Sequence, residues 1–202
     1  MKSKLDKQEA LLKILRDRKA DTTEFRDATR RLCALLMRKQ KTILQKRGVP
    51  QKDVVFVVIL RASLAFLDAA MQSFPKAPVG VLGLKRDEKT FAPRWYYENL
   101  PRLSKKSTVV ICDPMLATGG SAEAAIKKLA RRGADRKKMY FVGVIAATEG
   151  LSRLAKHIPQ RNIMLAAVDE KLDARKMIVP GLGDFGDRYF GYEGASVSFG
   201  AR

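Results

Sequence analysis

The sequence predicts an α/β fold with a central, mostly parallel sheet flanked by helices, and three observations carry that reading. Apolar runs rich in β-branched residues recur at 54–60, 79–84, 109–112, 140–147 and 163–168. They do not alternate with polar residues, so both faces of each strand are expected to be buried, as in a parallel sheet. Segments with helical character separate them, giving the strand-helix alternation of crossover units. The strands also close on charged residues, Arg61, Lys85-Arg86, Asp113 and Asp169-Glu170. Open parallel sheets bind ligands at the carboxyl ends of their strands, so such residues are candidates for a site.

In chain order, Leu5, Leu11, Leu12 and Leu15 alternate with Lys and Arg and predict an amphipathic helix within 1–20. Thr22 or Thr23 is expected to cap a second helix over 24–45, with Phe25, Leu32, Leu35, Leu36 and Leu44 on its apolar face and Arg30, Arg31, Arg38, Lys39 and Lys41 on its basic one. Gly48-Val49-Pro50 ends it. After the 54–60 strand, 63–73 reads as a helix stopped by Phe74-Pro75. The segment 89–101 holds the only Trp, Trp95, with Tyr96 and Tyr97 between prolines, which predicts a projecting hairpin whose exposed aromatics need a partner surface. A helix over 122–132 ends in cations before Gly133. Thr148-Glu149-Gly150 turns into a helix expected to contain His157, the only histidine, read as a surface residue rather than a general base. Finally, Gly181, Gly183, Gly186 and Gly191 interrupt 177–191, and this stretch is read as a shaped loop without a regular element, exposing backbone N–H and C=O groups able to recognise a planar heterocycle.

With 202 residues and 46% hydrophobic content, one domain over 1–202 with one sizeable core is expected. No run of about 18 apolar residues predicts a membrane span, and the lysine-rich start, with Asp6, Glu9 and Asp17, does not read as a targeting segment. Cys33 and Cys112 show no metal or redox spacing, so a reducing, cytoplasmic setting is expected. Forty Lys plus Arg against 21 Asp plus Glu give a net charge of +19. That excess reads as a solvated surface; its rival is an electrostatic footprint for RNA or another polyanion.

The most informative stretch runs from the 109–112 strand into the helix that follows. Asp113 closes the strand, and Thr118-Gly119-Gly120-Ser121 opens the helix. Two glycines let the backbone curl so that N–H groups point inward, Thr118 and Ser121 add hydroxyl donors, and the helix contributes its positive end. A monoester phosphate suits such a loop, and an acid beside it suits sugar hydroxyls or a metal; together they suggest a phosphorylated ribose. A plain strand-turn-helix connection is the alternative for the four-residue motif alone.

The nonamer Asp113-Pro114-Met115-Leu116-Ala117-Thr118-Gly119-Gly120-Ser121 resembles the phosphoribosyl pyrophosphate (PRPP) motif of uracil phosphoribosyltransferases. Thr23-Glu24-Phe25-Arg26, Ile59-Leu60-Arg61-Ala62, Arg86-Asp87-Glu88 with 96–101, and 179–191 resemble the same family in the same order. The resemblance implies a type I phosphoribosyltransferase fold with a small hood at 169–191, a β-arm at 87–101, and formation of UMP and pyrophosphate from uracil and PRPP in pyrimidine salvage. It further implies that Arg61 and Arg86 hold pyrophosphate, that Asp113 binds ribose hydroxyls, and that Pro114, Met115, Leu116 and Ala117 to Ser121 line the phosphate loop. Ile178 and the backbone of Gly183, Asp184 and Phe185 would read uracil, with Asp184 also near PRPP. Mg²⁺ would arrive with PRPP rather than on protein side chains, the assembly would be a homodimer or homotetramer through the arm, and GTP is an effector in some relatives. Three positions depart from the family: Ser63 stands where Gly is usual, Lys85 where an aromatic is common, and Tyr192 where Thr is commoner, with a tail beyond it. Ser63, the charge and the basic helix motivate the alternative of a catalytically weakened homologue bound to RNA.

Overall fold

The computed structural model describes residues 4–86 and 93–192, with side chains described for 7–85 and 94–192. The elements follow one another as α1 (Lys4–Arg16), α2 (Thr22–Lys46), β1 (Val54–Leu60), α3 (Leu67–Ser73), β2 (Val79–Arg86), β3 (Pro93–Asn99), β4 (Thr108–Cys112), β5 (Met115–Leu116), α4 (Gly120–Arg131), β6 (Met139–Ala147), α5 (Thr148–Ala155), β7 (Ile163–Asp169), β8 (Lys171–Leu172), β9 (Ile178–Val179) and α6 (Phe185–Phe190). The main sheet runs β3-β2-β1-β4-β6, with β7 on the far side of β6 and the short β5 continuing the course of β4 along β6. Every pairing in it is parallel except β2 with β3.

Strand β1 shows why the sheet is sandwiched. Val54 and Phe56 lie in one core cluster with Leu15, Phe25, Leu32, Phe66 and Phe185, while Val55, Val57 and Ile59 join a second with Ala125, Ile126, Leu129 and Leu154. Successive side chains of a strand point to opposite faces, so one run of seven apolar residues feeds both layers. Helices α1, α2, α3 and α6 cover one face, and α4 and α5 the other. No helix among the described residues is long and apolar enough to cross a membrane.

Several sequence expectations are corrected. The second helix is capped by Asp21 rather than Thr22 or Thr23: its carboxylate accepts from Glu24 N–H at 2.8 Å, and the Glu24 carboxylate accepts from Asp21 N–H at 3.0 Å. This reciprocal pair satisfies two donors at once, which a lone Thr cannot do. The segment after β1 begins as a 3₁₀ turn over Ala62–Phe66, without a side-chain cap, before α3. The 93–99 segment is the antiparallel edge strand of the main sheet, and Trp95 packs against the core with Lys128 4.6 Å above its ring. Tyr96 and Tyr97 are exposed there; the arm tip at 87–92, the Arg86 side chain and the tail at 193–202 lie outside the described residues. His157 falls beyond the end of α5 and is partly buried. The glycine-rich terminal stretch is partly regular, holding β9, paired antiparallel with β8, and α6. Its glycines do not prevent these elements: Gly186 lies within α6, and Gly191 caps it at φ 78°.

Candidate functional site

Asp113 sits where β4 ends, and its backbone is fixed from β6. Its N–H donates to the Val142 carbonyl at 3.1 Å, and the Pro114 carbonyl accepts from Val144 and Ile145 N–H at 3.1 and 3.0 Å. Proline has no N–H to place here, so the step from β4 to β5 costs no unpaired donor. The Asp113 carboxylate accepts from Met115 N–H at 3.3 Å and stays partly accessible. Pro114 and Leu116 are buried, so what they can offer a ligand is backbone.

The loop then turns through Gly119, whose φ of 75° is left-handed and suits glycine, and α4 starts at Gly120. Thr118, Gly120 and Ser121 are partly accessible. The Thr118 hydroxyl accepts from Gly120 N–H at 3.4 Å, so two hydroxyls and the first amides of a 12-residue helix fall within one short stretch, groups whose chemistry suits an anion.

Arg61 follows β1, the strand next to β4, and is exposed. Its guanidinium stands 5.8 Å from the Phe190 ring and 5.5 Å from the Tyr192 ring, within cation–π range. Phe190 and Tyr192 are thus brought to the end of β1. Asp184 is exposed and caps α6 by accepting from Asp187 N–H at 2.9 Å. Phe185 points away from solvent, 5.3 Å from Phe25 and 5.8 Å from Tyr189 between ring centres, and Ile178 is buried. Of the residues expected to read a base, Phe185 therefore presents backbone only.

Sequence reasoning missed the ion pairs and hydrogen bonds that hold these parts together, most of which join residues far apart in the chain. Buried Asp169, at the end of β7, takes two hydrogen bonds from Arg16 at 2.8 and 2.6 Å and one from Gly181 N–H at 2.7 Å. Burial pushes this carboxyl up, but Arg16 and the Gly181 amide outweigh it and leave it below the ordinary range. Arg188 is buried, stacked 4.2 Å from Phe25, and donates to the carbonyls of Leu182 at 2.8 Å and Asp17 at 2.6 Å. A third cluster flanks the Thr118–Ser121 loop: Glu123 in the first turn of α4 pairs with Lys127 at 2.5 Å, with Arg153 of α5, and with His157 at 3.2 Å. Lys127 is the largest pull on Glu123, burial opposes it and Arg153 adds to it, so the carboxyl titrates at about 2. Among the described residues no three His, Cys, Asp or Glu side chains form a group that could hold a metal.

A family model described as uracil phosphoribosyltransferase matches residues 38–192. The uracil phosphoribosyltransferase of Acholeplasma laidlawii is 41% identical over 194 residues, covering 88% of this chain and 91% of that one. That of Dictyoglomus thermophilum is 40% identical over 191 residues, covering 88% and 91%. The solved structure of the AQ2163 protein from Aquifex aeolicus matches with TM-score 0.81 at 33% identity, over 94% of this chain and 96% of that one. The hypoxanthine phosphoribosyltransferase of Trypanosoma cruzi in complex with the product IMP, at 10% identity and TM-score 0.54 over 73% of this chain and 79% of that one, shares the fold, the type I phosphoribosyltransferase architecture.

Proposed function

The chain belongs to the uracil phosphoribosyltransferase family and transfers the 5-phosphoribosyl group of PRPP to uracil, giving UMP and pyrophosphate; we propose that the residues gathered at the carboxyl ends of β1 and β4 carry out this transfer. The observation that carries the assignment of roles is the pairing of a backbone-fixed Asp113 with the Thr118–Ser121 loop at the start of α4. The loop amides and hydroxyls take the 5-phosphate, and Asp113 accepts from the ribose hydroxyls, which fixes the sugar ring. Arg61 and Arg86 neutralise the pyrophosphate. As it leaves C1, the sugar gains oxocarbenium character and uracil nitrogen adds to the opposite face. No covalent nucleophile is required, so catalysis rests on orientation and charge.

The segment 169–191 acts as the hood, with Ile178 and the backbone of Gly183, Asp184 and Phe185 against uracil. Mg²⁺ fits the donor set as an ion held mainly by the substrate's own oxygens and by water: Asp113 is one accessible carboxylate beside the loop, and Mg²⁺ keeps several waters and binds few carboxylates. When bound it offsets charge on the departing pyrophosphate. Exposed Tyr96 and Tyr97 on β3 support a homodimer through the arm, and titration with GTP tests the effector.

The test is UMP formation from uracil and PRPP with Mg²⁺, comparing the wild type with Arg61→Ala and Asp113→Asn. Each variant is expected to lose about 10²-fold or more in kcat while keeping its melting temperature. Full activity in either variant would remove that residue from the mechanism.

A further inference from the structure

The phosphate loop itself contains no cation. Its donors are backbone amides and the hydroxyls of Thr118 and Ser121. Helix α5 packs directly on it. A Cβ at Gly150, in the first turn of α5, would stand 2.4 Å from the carbonyl oxygens of both Leu116 and Ala117, so glycine is what lets the helix approach.

Three residues further on, one turn along the helix, is Arg153. Its Cβ and Cδ lie 3.4 Å from where a Cβ at Gly119 would be, and its Nη1 lies 3.9 Å from the same point at Gly120. Nη1 is 3.5 Å from the Thr118 carbonyl, and Nε donates to the Glu123 carboxylate in the first turn of α4. Lys127 and His157 hold Glu123 from other directions. The guanidinium thus spans the loop and the helix that the loop opens.

We propose that Arg153 is a positioning residue for the 5-phosphate, locking the Thr118–Ser121 loop to the first turn of α4 and supplying the positive charge that the loop itself lacks. The inference rests on the reading of this loop as the 5-phosphate site. A guanidinium suits the task because its planar fork serves two acceptors at once, which an ammonium does less well. A dianionic phosphate beside it gains from its charge even without a direct bond. The Glu123 carboxylate is spent on Arg153, Lys127 and His157, so it orients the arginine.

The test uses ligands that separate the two ends of PRPP: ribose 5-phosphate, which carries the 5-phosphate, and pyrophosphate, which does not. Both are titrated calorimetrically into the wild type, Arg153→Met, Arg153→Lys and Glu123→Gln, with the KM for PRPP, the KM for uracil and kcat measured alongside. Arg153→Met keeps the aliphatic packing against the loop and is expected to weaken ribose 5-phosphate and raise the KM for PRPP about tenfold, the scale of one charge-assisted contact. Pyrophosphate affinity and the KM for uracil should stay within about twofold of wild type, by the same argument. Arg153→Lys should recover part of the loss, and Glu123→Gln should show a weaker version of it.

Unchanged ribose 5-phosphate affinity in a folded Arg153→Met would overturn the proposal, as would equal weakening of both ligands, which marks general damage. If Arg153→Met melts early, Arg153→Lys and Glu123→Gln decide by the same contrast. Failure of the wild type to bind ribose 5-phosphate while it makes UMP would instead overturn the loop assignment on which the inference stands.

Discussion

Ser63 stands in the turn after β1, where the family resemblance implies glycine, and its side chain is fully buried. The hydroxyl donates to the Ile59 carbonyl at 2.6 Å, one turn back along the chain, so the extra Cβ and Oγ are absorbed by β1 and do not project toward a ligand. Ser63→Ala is therefore expected to cost about 1 kcal/mol, the net worth of one buried hydrogen bond, and to lower the melting temperature by about 2–4 °C for a chain of this size. Ser63→Gly should cost roughly 0.5–1 kcal/mol more, from added freedom of the unfolded backbone. Both variants should form UMP at close to the wild-type rate. A large gain in kcat for Ser63→Gly would show that the serine does hinder catalysis. At this scale legibility followed sequence distance. Arg61 and Asp113 announced themselves by ending apolar runs, and Thr118 to Ser121 by local turn chemistry. Arg153 did not, since it pairs with Glu123 thirty positions away and reads locally as an ordinary surface cation of α5.

Among the elements, the terminal stretch was the least legible, and the reason is physical. Its two-residue strands and six-residue helix are too short for a period to show, and they are held by partners near the N-terminus. Arg16 reaches Asp169 and the Gly181 carbonyl, and Arg188 reaches the Asp17 carbonyl. Helix α1 thus anchors the proposed hood. Long strands such as β1, β4 and β6 were placed to within a residue or two, because burial on both faces leaves an unbroken apolar run. The Arg16–Asp169 pair makes this anchoring pH-dependent. The Asp169 carboxyl is held below its ordinary value of about 3.9 in the folded state. Its contribution is therefore fully present above that ordinary value and is lost as pH falls through the lower, folded one. The wild-type melting temperature should drop as pH is taken below about 4, while Asp169→Asn should start lower at neutral pH and fall less steeply. Parallel curves for the two proteins would exclude Asp169 as a source of acid sensitivity. The KM for uracil is the second readout, and it should rise in Asp169→Asn as the hood loosens.

Taken as a whole, the molecule carries a net charge of +19, far more than a few cations at a site require. Some of the 40 Lys and Arg are locally paired: Arg30 and Arg31 with Asp27, and Lys128 and Arg132 with Glu98. Exposed pairs of this kind contribute little to stability, so the net excess acts chiefly through its long-range field. The two substrates report on that field differently, since PRPP is a polyanion and uracil is neutral. Raising the ionic strength from about 0.02 to 0.3 M shortens the Debye length from roughly 20 Å to below 10 Å. It should lower kcat/KM for PRPP several-fold and leave kcat/KM for uracil nearly flat. The same field would draw RNA to the surface, where binding through phosphates collapses with salt. Nonspecific RNA should then inhibit competitively against PRPP at low salt, with the inhibition gone near 0.3 M. Inhibition that persists at high salt would mean that RNA is recognised by contacts beyond charge, and would make the RNA-bound reading a second role for the chain. A kcat/KM for PRPP indifferent to salt would show that the excess charge does not reach the substrate at all, leaving the cations at the site to do the work alone.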